Sequence, residues 1–91
     1  MPVLMTAQLP GGTKEMIDDM FAQLAEPQRS TQGFILHANG PVAGGWRVTE
    51  VWNSQSDFEA WFESYVKAAL PEGAPTPSIT FDELNEVLLA G

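Results

Sequence analysis

One histidine and one glutamate are the residues best suited to acid–base chemistry in this chain. His37 is the only histidine, and imidazole is the side chain that exchanges protons most readily near neutral pH. It is therefore a candidate general base that removes a phenolic or enolic proton. Glu50 lies between Trp46 and Trp52 in an alternating stretch, and a carboxylate on a buried face needs a hydrogen-bond donor. Glu50 is the second candidate catalytic residue.

Both residues also have a purely structural interpretation. His37 would then be partly buried on a sheet and hydrogen-bonded to backbone or to a partner subunit. Glu50 would form an ion pair with Arg29 or Arg47, within its subunit or across the dimer. Arg47 is itself a candidate for binding an anionic substrate oxygen. Asn39 shares a predicted strand face with His37, which makes it a further substrate-binding candidate.

Aromatic side chains form the second group of candidates, because rings can enclose a planar apolar ligand. They come from both predicted helices and from the stretch around Glu50. The predicted substrate-binding walls are Phe21, Trp46, Trp52, Trp61, Phe62 and Tyr65. The alternative is ordinary core packing, since aromatic stripes at helical spacing usually bury themselves against a sheet.

Composition limits the possible classes of protein. Ninety-one residues predict a single domain over residues 1–91. A net charge of −8 with only four Lys and Arg residues argues against nucleic-acid and anionic-membrane partners. The absence of cysteine excludes thiolate metal sites, and one histidine does not favour any metal site. Without a basic signal region or an apolar run of about 18 residues, we expect a cytoplasmic protein.

Hydrophobic periodicity and turn residues predict the first three elements. An apolar strand over residues 3–9 stops at a Pro-Gly-Gly turn. A helix capped by Thr13 follows, with an apolar stripe at helical spacing, and Pro27 is expected to end it. The next apolar strand covers residues 33–38, and residues 39–45 are expected to form a loop rich in glycine.

The second half repeats the strand and helix pattern. A strand begins at Trp46, and Ser56 with Glu59 three residues later predicts a capping box at the start of a second helix. Residues 78–89 are expected to form a final strand, with a helix over residues 81–89 as the alternative.

The order β-α-β-β-α-β predicts an α+β, ferredoxin-like fold with a four-stranded antiparallel sheet and both helices on one face. The first two strands are apolar on both alternating sets of residues, so both sheet faces need cover. A second copy of the chain is the simplest cover for the face without helices, which predicts a homodimer.

Two adjacent segments carry a family resemblance. The strand GWRVTEVW over residues 45–52, followed by SQSDFEAWF over residues 54–62, resembles the dimeric α+β barrel superfamily. More narrowly, the chain is similar to small stand-alone proteins related to the antibiotic biosynthesis monooxygenase domain. The resemblance implies a homodimer with two sheets packed face to face, forming a dimeric α+β barrel. It also implies a small-molecule pocket in each subunit, between the sheet and its helices.

The resemblance implies several activities. Cofactor-free oxygenases of this type stabilise the anion of an electron-rich aromatic substrate, which then reacts directly with molecular oxygen. Haem-degrading members use an axial histidine on or beyond the second helix, an asparagine on strand 1 and a tryptophan near the end of strand 3. Here only Trp52 matches, which does not favour haem degradation.

The resulting expectation is a small-molecule-binding homodimer without cofactor or metal. As an enzyme it would be a cofactor-independent monooxygenase, or a cyclase or isomerase, acting on a hydrophobic aromatic or polyketide-like substrate. The alternative is a non-catalytic ligand-binding or accessory homodimer.

Overall fold

The chain folds into a four-stranded antiparallel sheet with helices on one face. A computed structural model describes residues 1–74 and 76–91. Along the chain the strands and helices are β1 (Val3–Pro10), α1 (Lys14–Arg29), β2 (Phe34–Val42), β3 (Gly45–Trp52), α2 (Gln55–Trp61), a π-helical turn (Phe62–Val66), α3 (Lys67–Ala69) and β4 (Ser78–Glu83). The sheet order is β2-β3-β1-β4. This confirms the predicted ferredoxin-like α+β topology.

Helix α1 begins at its predicted cap but ends later than predicted. The Thr13 hydroxyl accepts a hydrogen bond from the Met16 amide at 3.2 Å, which satisfies one free donor of the first turn. Pro27 does not end the helix, which continues to Arg29. Proline removes one N–H, whose partner would be the carbonyl of the exposed Gln23, and water can satisfy that carbonyl.

Strands β2 and β3 are joined by a much tighter hairpin than predicted. Residues 39–42, expected to lie in a loop, are part of β2, and Val42 pairs directly with Gly45. Gly44 has a φ of 79°, which glycine adopts without the steric cost that other residues meet. The hairpin end is tied to β1 by the Gly11 amide, which donates to the Gly44 carbonyl at 2.8 Å.

A β-bulge interrupts the pairing of β2 with β3. Phe34 pairs with Trp52 and Leu36 pairs with Val51, so Ile35 is the extra residue. Beyond the bulge the register is regular, and His37 lies directly opposite Glu50.

The second helical segment differs from its prediction at its start and in its middle. Ser54, not Ser56, is the N-cap, and its hydroxyl accepts from the Asp57 amide at 3.1 Å. Within the segment the Lys67 amide donates to the Phe62 carbonyl, which widens the helix into a π-helical turn. Pro75, within the stretch predicted to break this helix, lies outside the described residues.

Strand β4 is shorter than the predicted final strand. It ends at Glu83, and residues 84–91 form neither strand nor helix, so both predictions for the last segment are wrong beyond Glu83. This final segment is largely exposed, with Leu88 at 97%. Its side chains lack the buried partners that would hold a strand or a helix in place.

The core lies between the helices and the inner face of the sheet. Four alternating residues of β1 are buried there: Val3, Met5, Ala7 and Leu9. Trp52 is fully buried at the centre, with Phe34, Phe58 and Trp61 around its ring at centroid distances of 5.5 to 6.4 Å. In the described part of the chain, no helix is both long and apolar enough to cross a membrane.

Candidate functional site

A cavity of about 90 Å³ lies between the sheet and the helices. Its lining residues are Met5, Ala7, Leu9, Ile17, Met20, Phe21, Leu24, His37, Asn39, Val48, Glu50, Phe58, Trp61, Phe62, Val66, Leu70, Pro77 and Ile79. Most are apolar, and the polar side chains are His37, Asn39 and Glu50. Such a site is an apolar cavity with a few polar groups at one end, which is the usual composition of a small-molecule pocket.

Glu50 is the buried acceptor at the centre of this polar group. Only 4% of the residue is exposed. Its Oε1 accepts from Trp52 Nε1 at 2.9 Å, and its Oε2 accepts from Gln28 Nε2 at 2.7 Å and from His37 Nδ1 at 2.6 Å. Three donors from three different elements therefore replace the water that burial removes from the carboxylate. Within the chain, the predicted ion pair of Glu50 with Arg29 or Arg47 is wrong, because Arg29 pairs with Glu26 instead and Arg47 is exposed.

The tautomer of His37 follows from the residues beyond it. Trp46 Nε1 can only donate, and it lies 3.0 Å from Asn39 Oδ1. The amide nitrogen of Asn39 therefore faces His37 Nε2, at 2.9 Å, and donates to it. With Nε2 as acceptor, the proton of the neutral ring lies on Nδ1 and is donated to Glu50. From Trp46 through Asn39 and His37 to Glu50, each donor then faces an acceptor.

Sheet register brings the acid–base pair together. The pairing of His37 with Glu50 across β2 and β3 places both side chains on the helix-covered face. The bulge at Ile35 puts Phe34 on that face as well, so that its ring packs against Trp52. The pair is thus supported by the aromatic core beneath it.

Gln28 is the site residue that sequence analysis missed. It is 4% exposed and lies in the last turn of α1, beyond the proline that was expected to end the helix. A usable signal was present: residue 28 continues the spacing of the apolar stripe from Leu24 by one turn. A polar residue in that position indicates a buried hydrogen bond.

Five of the six aromatic candidates form two groups. Phe21, Trp61 and Phe62 line the cavity. Trp46 and Trp52 do not line it but donate hydrogen bonds to Asn39 and Glu50 from outside.

Tyr65 and Arg47 lie away from the cavity. Tyr65 is 45% exposed and stacks on the outer side of Trp61, with ring centroids 4.8 Å apart. The π-helical turn, which includes Tyr65, shifts the helical periodicity on which its inward position was predicted. Arg47 alternates with Glu50 along β3 and lies exposed on the opposite sheet face.

Phe21 and His37 form the rim of the cavity. Their ring centroids are 5.5 Å apart, and both also line a shallow groove between α1 and the edge of β2. Phe21 is 46% exposed. Phe21 therefore borders both the cavity and the groove outside it.

The described residues contain no cluster of metal-ligating side chains. Among residues 1–74 and 76–91 no group of three or more His, Cys, Asp or Glu side chains could hold a metal ion. His37 is the only imidazole in the sequence, and both of its nitrogens are engaged, one by Glu50 and one by Asn39.

The fold has counterparts among solved structures, although no family model and no curated protein matches the chain. The protein Rv0793 from Mycobacterium tuberculosis superimposes with a TM-score of 0.73 at 16% identity, over 97% of this chain and 100% of the other. The haem degrader MhuD from the same organism was solved with two haems in its active site. It superimposes with a TM-score of 0.65 at 24% identity, over 97% of this chain and 99% of the other. SnoaB, a cofactor-independent oxygenase from Streptomyces nogalater, superimposes with a TM-score of 0.65 at 15% identity, over 96% of this chain and 95% of the other. The chain therefore shares its fold with these three proteins.

Proposed function

We propose that this protein is a cofactor-independent monooxygenase for a hydrophobic aromatic substrate with an acidic hydroxyl group. The observation that carries the proposal is the buried Glu50–His37 pair at the polar end of an apolar cavity. The cofactor-independent oxygenase SnoaB shares the fold, which supports the class of reaction. We further propose that the protein acts in the cytoplasm, as its composition led us to expect.

The Glu50–His37 pair supplies a general base in which Nε2 is the nitrogen that takes the proton. Glu50 accepts from Nδ1 and stabilises the imidazolium that forms when Nε2 takes a proton. The substrate hydroxyl replaces the Asn39 amide at the lone pair of Nε2. The substrate O–H bond then breaks, an Nε2–H bond forms, and the electron pair stays on the substrate as an enolate or phenolate. Its electron-rich carbon then bonds to O₂, and proton return gives a hydroperoxide. Loss of water from that hydroperoxide leaves a carbonyl, so one oxygen atom enters the product and the other leaves as water.

Oxygen uptake with an anthrone tests this proposal directly. Wild-type protein, with no added cofactor or metal, should consume one O₂ per anthrone oxidised to the quinone. His37→Ala should reduce the rate by about 10²- to 10⁴-fold, which is the usual contribution of a positioned general base. Gln23→Ala, on the exposed side of α1, is the control and should not change the rate. Equal rates for wild type and His37→Ala would refute the proposed role of the base.

Non-catalytic ligand binding is the second candidate function, and the cavity volume favours it. At about 90 Å³ the cavity is smaller than the roughly 150 Å³ apolar cavity that holds benzene in an engineered protein. A polycyclic ligand would require Phe21 to move. Binding of an anthrone in a calorimeter without any oxygen uptake would support this second function and contradict the first.

We also propose that two copies pack through the open faces of their sheets. This face carries Leu4 and Val51, which pair across β1 and β3, and Leu36, which pairs with Val51 from β2. Leu36 is 37% exposed in the single chain. Light scattering at micromolar concentration should give twice the mass of one chain, and a monomer would contradict this assembly.

A further inference from the structure

We propose that Trp61 and Tyr65 form a relay that carries an electron from the protein surface to the cavity and reduces radicals formed there. The inference rests on the proposed function. An enolate or phenolate has no unpaired electrons whereas O₂ has two, so the anion first transfers one electron to O₂, which gives a substrate radical and superoxide. A substrate radical that loses its superoxide partner adds another O₂ and becomes a peroxyl radical. The relay reduces this oxidant before it damages the cavity walls.

The stack of Trp61 and Tyr65 crosses the wall of the cavity. Trp61 is buried and lines the cavity. Tyr65 is exposed on the outer side of Trp61, with ring centroids 4.8 Å apart and an interplanar angle of 26°. Rings in van der Waals contact exchange electrons by direct orbital overlap. Tyr65 also belongs to the π-helical turn, a rare feature that is frequent at functional sites. The cavity and the solvent are therefore joined by two side chains in contact.

Only tryptophan and tyrosine rings can take part in this transfer. Indole and phenol lose an electron far more readily than the phenyl ring of phenylalanine does. Among the rings around Trp52, Phe34 and Phe58 are therefore unable to pass the charge on. Trp61 can, at a centroid distance of 6.4 Å from Trp52. The oxidisable rings thus form a line from Trp52 through Trp61 to Tyr65.

Proton release drives the oxidising equivalent outward. A tyrosine that loses an electron becomes a very strong acid and gives up its phenol proton, for which water is the acceptor at an exposed side chain. The neutral tyrosyl radical is more stable near neutral pH than the tryptophan radical, so the oxidising equivalent collects on Tyr65. The assembly proposed above uses the open sheet face, which leaves Tyr65 on the helix side in contact with water.

Reduction through the relay returns the substrate to the proposed reaction. The peroxyl radical gains one electron from Trp61 and one proton from water, and becomes the hydroperoxide that the reaction forms in any case. Trp61 regains its electron from Tyr65, which releases its phenol proton. A small reductant in solution, such as ascorbate, then supplies one electron to Tyr65, and a proton from water restores the phenol. The reductant is thereby oxidised by one electron for each peroxyl radical removed.

A laser flash tests the relay without any substrate. Light at the long-wavelength edge of protein absorption excites tryptophan but not tyrosine, and hexaamminecobalt(III) removes one electron irreversibly from the excited indole. In wild type, the absorption of the tryptophan radical should decay as that of the tyrosyl radical rises, at a rate independent of protein concentration. Tyr65 is the only tyrosine in the sequence, so the tyrosyl absorption reports this residue alone.

Three variants define the path. Tyr65→Phe keeps a stacked ring at an exposed position, and the fast decay of the tryptophan radical should be lost. Trp61→Phe should abolish the concentration-independent rise of the tyrosyl radical, although the other two tryptophans are still oxidised. Trp46→Phe is the matched control, because Trp46 lies on β3 and donates to Asn39 instead, and the transfer rate should equal that of wild type.

Turnover with an anthrone connects the relay with the reaction. After many turnovers, mass spectrometry should find more oxygen added to Trp61 in Tyr65→Phe than in wild type. Equal oxidation of Trp61 in both proteins would overturn the inference. A tryptophan radical that decays equally fast in wild type and Tyr65→Phe would also overturn it, while the base role of His37 would stand. Absence of anthrone-dependent oxygen uptake would instead refute the proposed function, and with it the source of the peroxyl radical.

Discussion

Replacing Glu50 with glutamine tests the central hydrogen-bond group, because the change keeps the shape of the side chain and removes one acceptor atom. Glu50 offers two oxygens to three donors, from Gln28, His37 and Trp52. With the glutamine oxygen facing Gln28 and His37, the new NH₂ group faces the Trp52 indole N–H, donor against donor. The opposite orientation leaves Gln28 facing a donor and forces His37 to change its tautomer. The first orientation is therefore the cheaper one, and it leaves two buried donors, the Trp52 N–H and the new NH₂ group, without an acceptor.

Each unpartnered buried donor costs about 1–3 kcal/mol, and removal of the buried negative charge offsets roughly one of the two costs, which leaves a net loss of about 1–3 kcal/mol. For a domain of this length, each kcal/mol lowers the melting temperature by about 4–8 °C. Glu50→Gln should therefore melt roughly 4 to 24 °C below wild type, and its urea midpoint should fall with an unchanged m-value. Tryptophan fluorescence reports the transition, since Trp52 is fully buried. Measurements at one protein concentration keep any change in association out of the comparison.

Glu59→Gln is the matched control, because Glu59 is exposed and hydrogen-bonded only to Gln55 within its helix. It should change the free energy of unfolding by no more than about 0.5 kcal/mol. If Glu50→Gln changed the free energy of unfolding as little as Glu59→Gln, Glu50 would not be accepting from three buried donors, and the description of the site would be wrong.

Two further substitutions test the supports of the site. Gln28→Leu should lower the free energy of unfolding by about 0.5–1.5 kcal/mol, because Glu50 loses one hydrogen-bond donor but keeps two. In the same urea titration, the control Gln23→Leu on the exposed side of α1 should cause almost no change. Gly45→Ala should cost roughly 1–3 kcal/mol, because a Cβ there collides with the backbone carbonyl of Leu9. Gly40→Ala, in the same hairpin but in open space, should show little change, and equal melting temperatures for the two alanine variants would contradict the close approach of the hairpin to β1.

Element order was predictable because hydrophobic periodicity dominates each segment. The boundaries of the strands and helices were less predictable, because single residues were given too much weight. Pro27 was expected to stop a helix whose last turn is held by the buried Gln28, and Ser56 was chosen as the cap although Ser54 makes the hydrogen bond. The glycines of residues 39–45 indicated a loop, but cross-strand pairing extends almost to the turn. In each case a tertiary or backbone contact overrode the local preference.

Candidate site residues were predicted by type more successfully than by contact. His37 and Glu50 were selected because of their chemistry, and the register of β2 with β3 brings them together. That register depends on a bulge at Ile35, which alternation alone does not reveal. The exposed position of Tyr65 depends on a π-helical turn, and regular helical spacing cannot predict it.

The edge strand β2 also bears on how this sheet can meet other molecules. Its outer edge contains the bulge at Ile35 and a proline, Pro41, which has no N–H to donate to an added strand. Both features are known devices that prevent an exposed edge from recruiting further strands and aggregating. Continuation of the sheet past β2 is thereby obstructed. The same strand that supplies the imidazole of the site thus protects the chain against fibre-like growth along that edge.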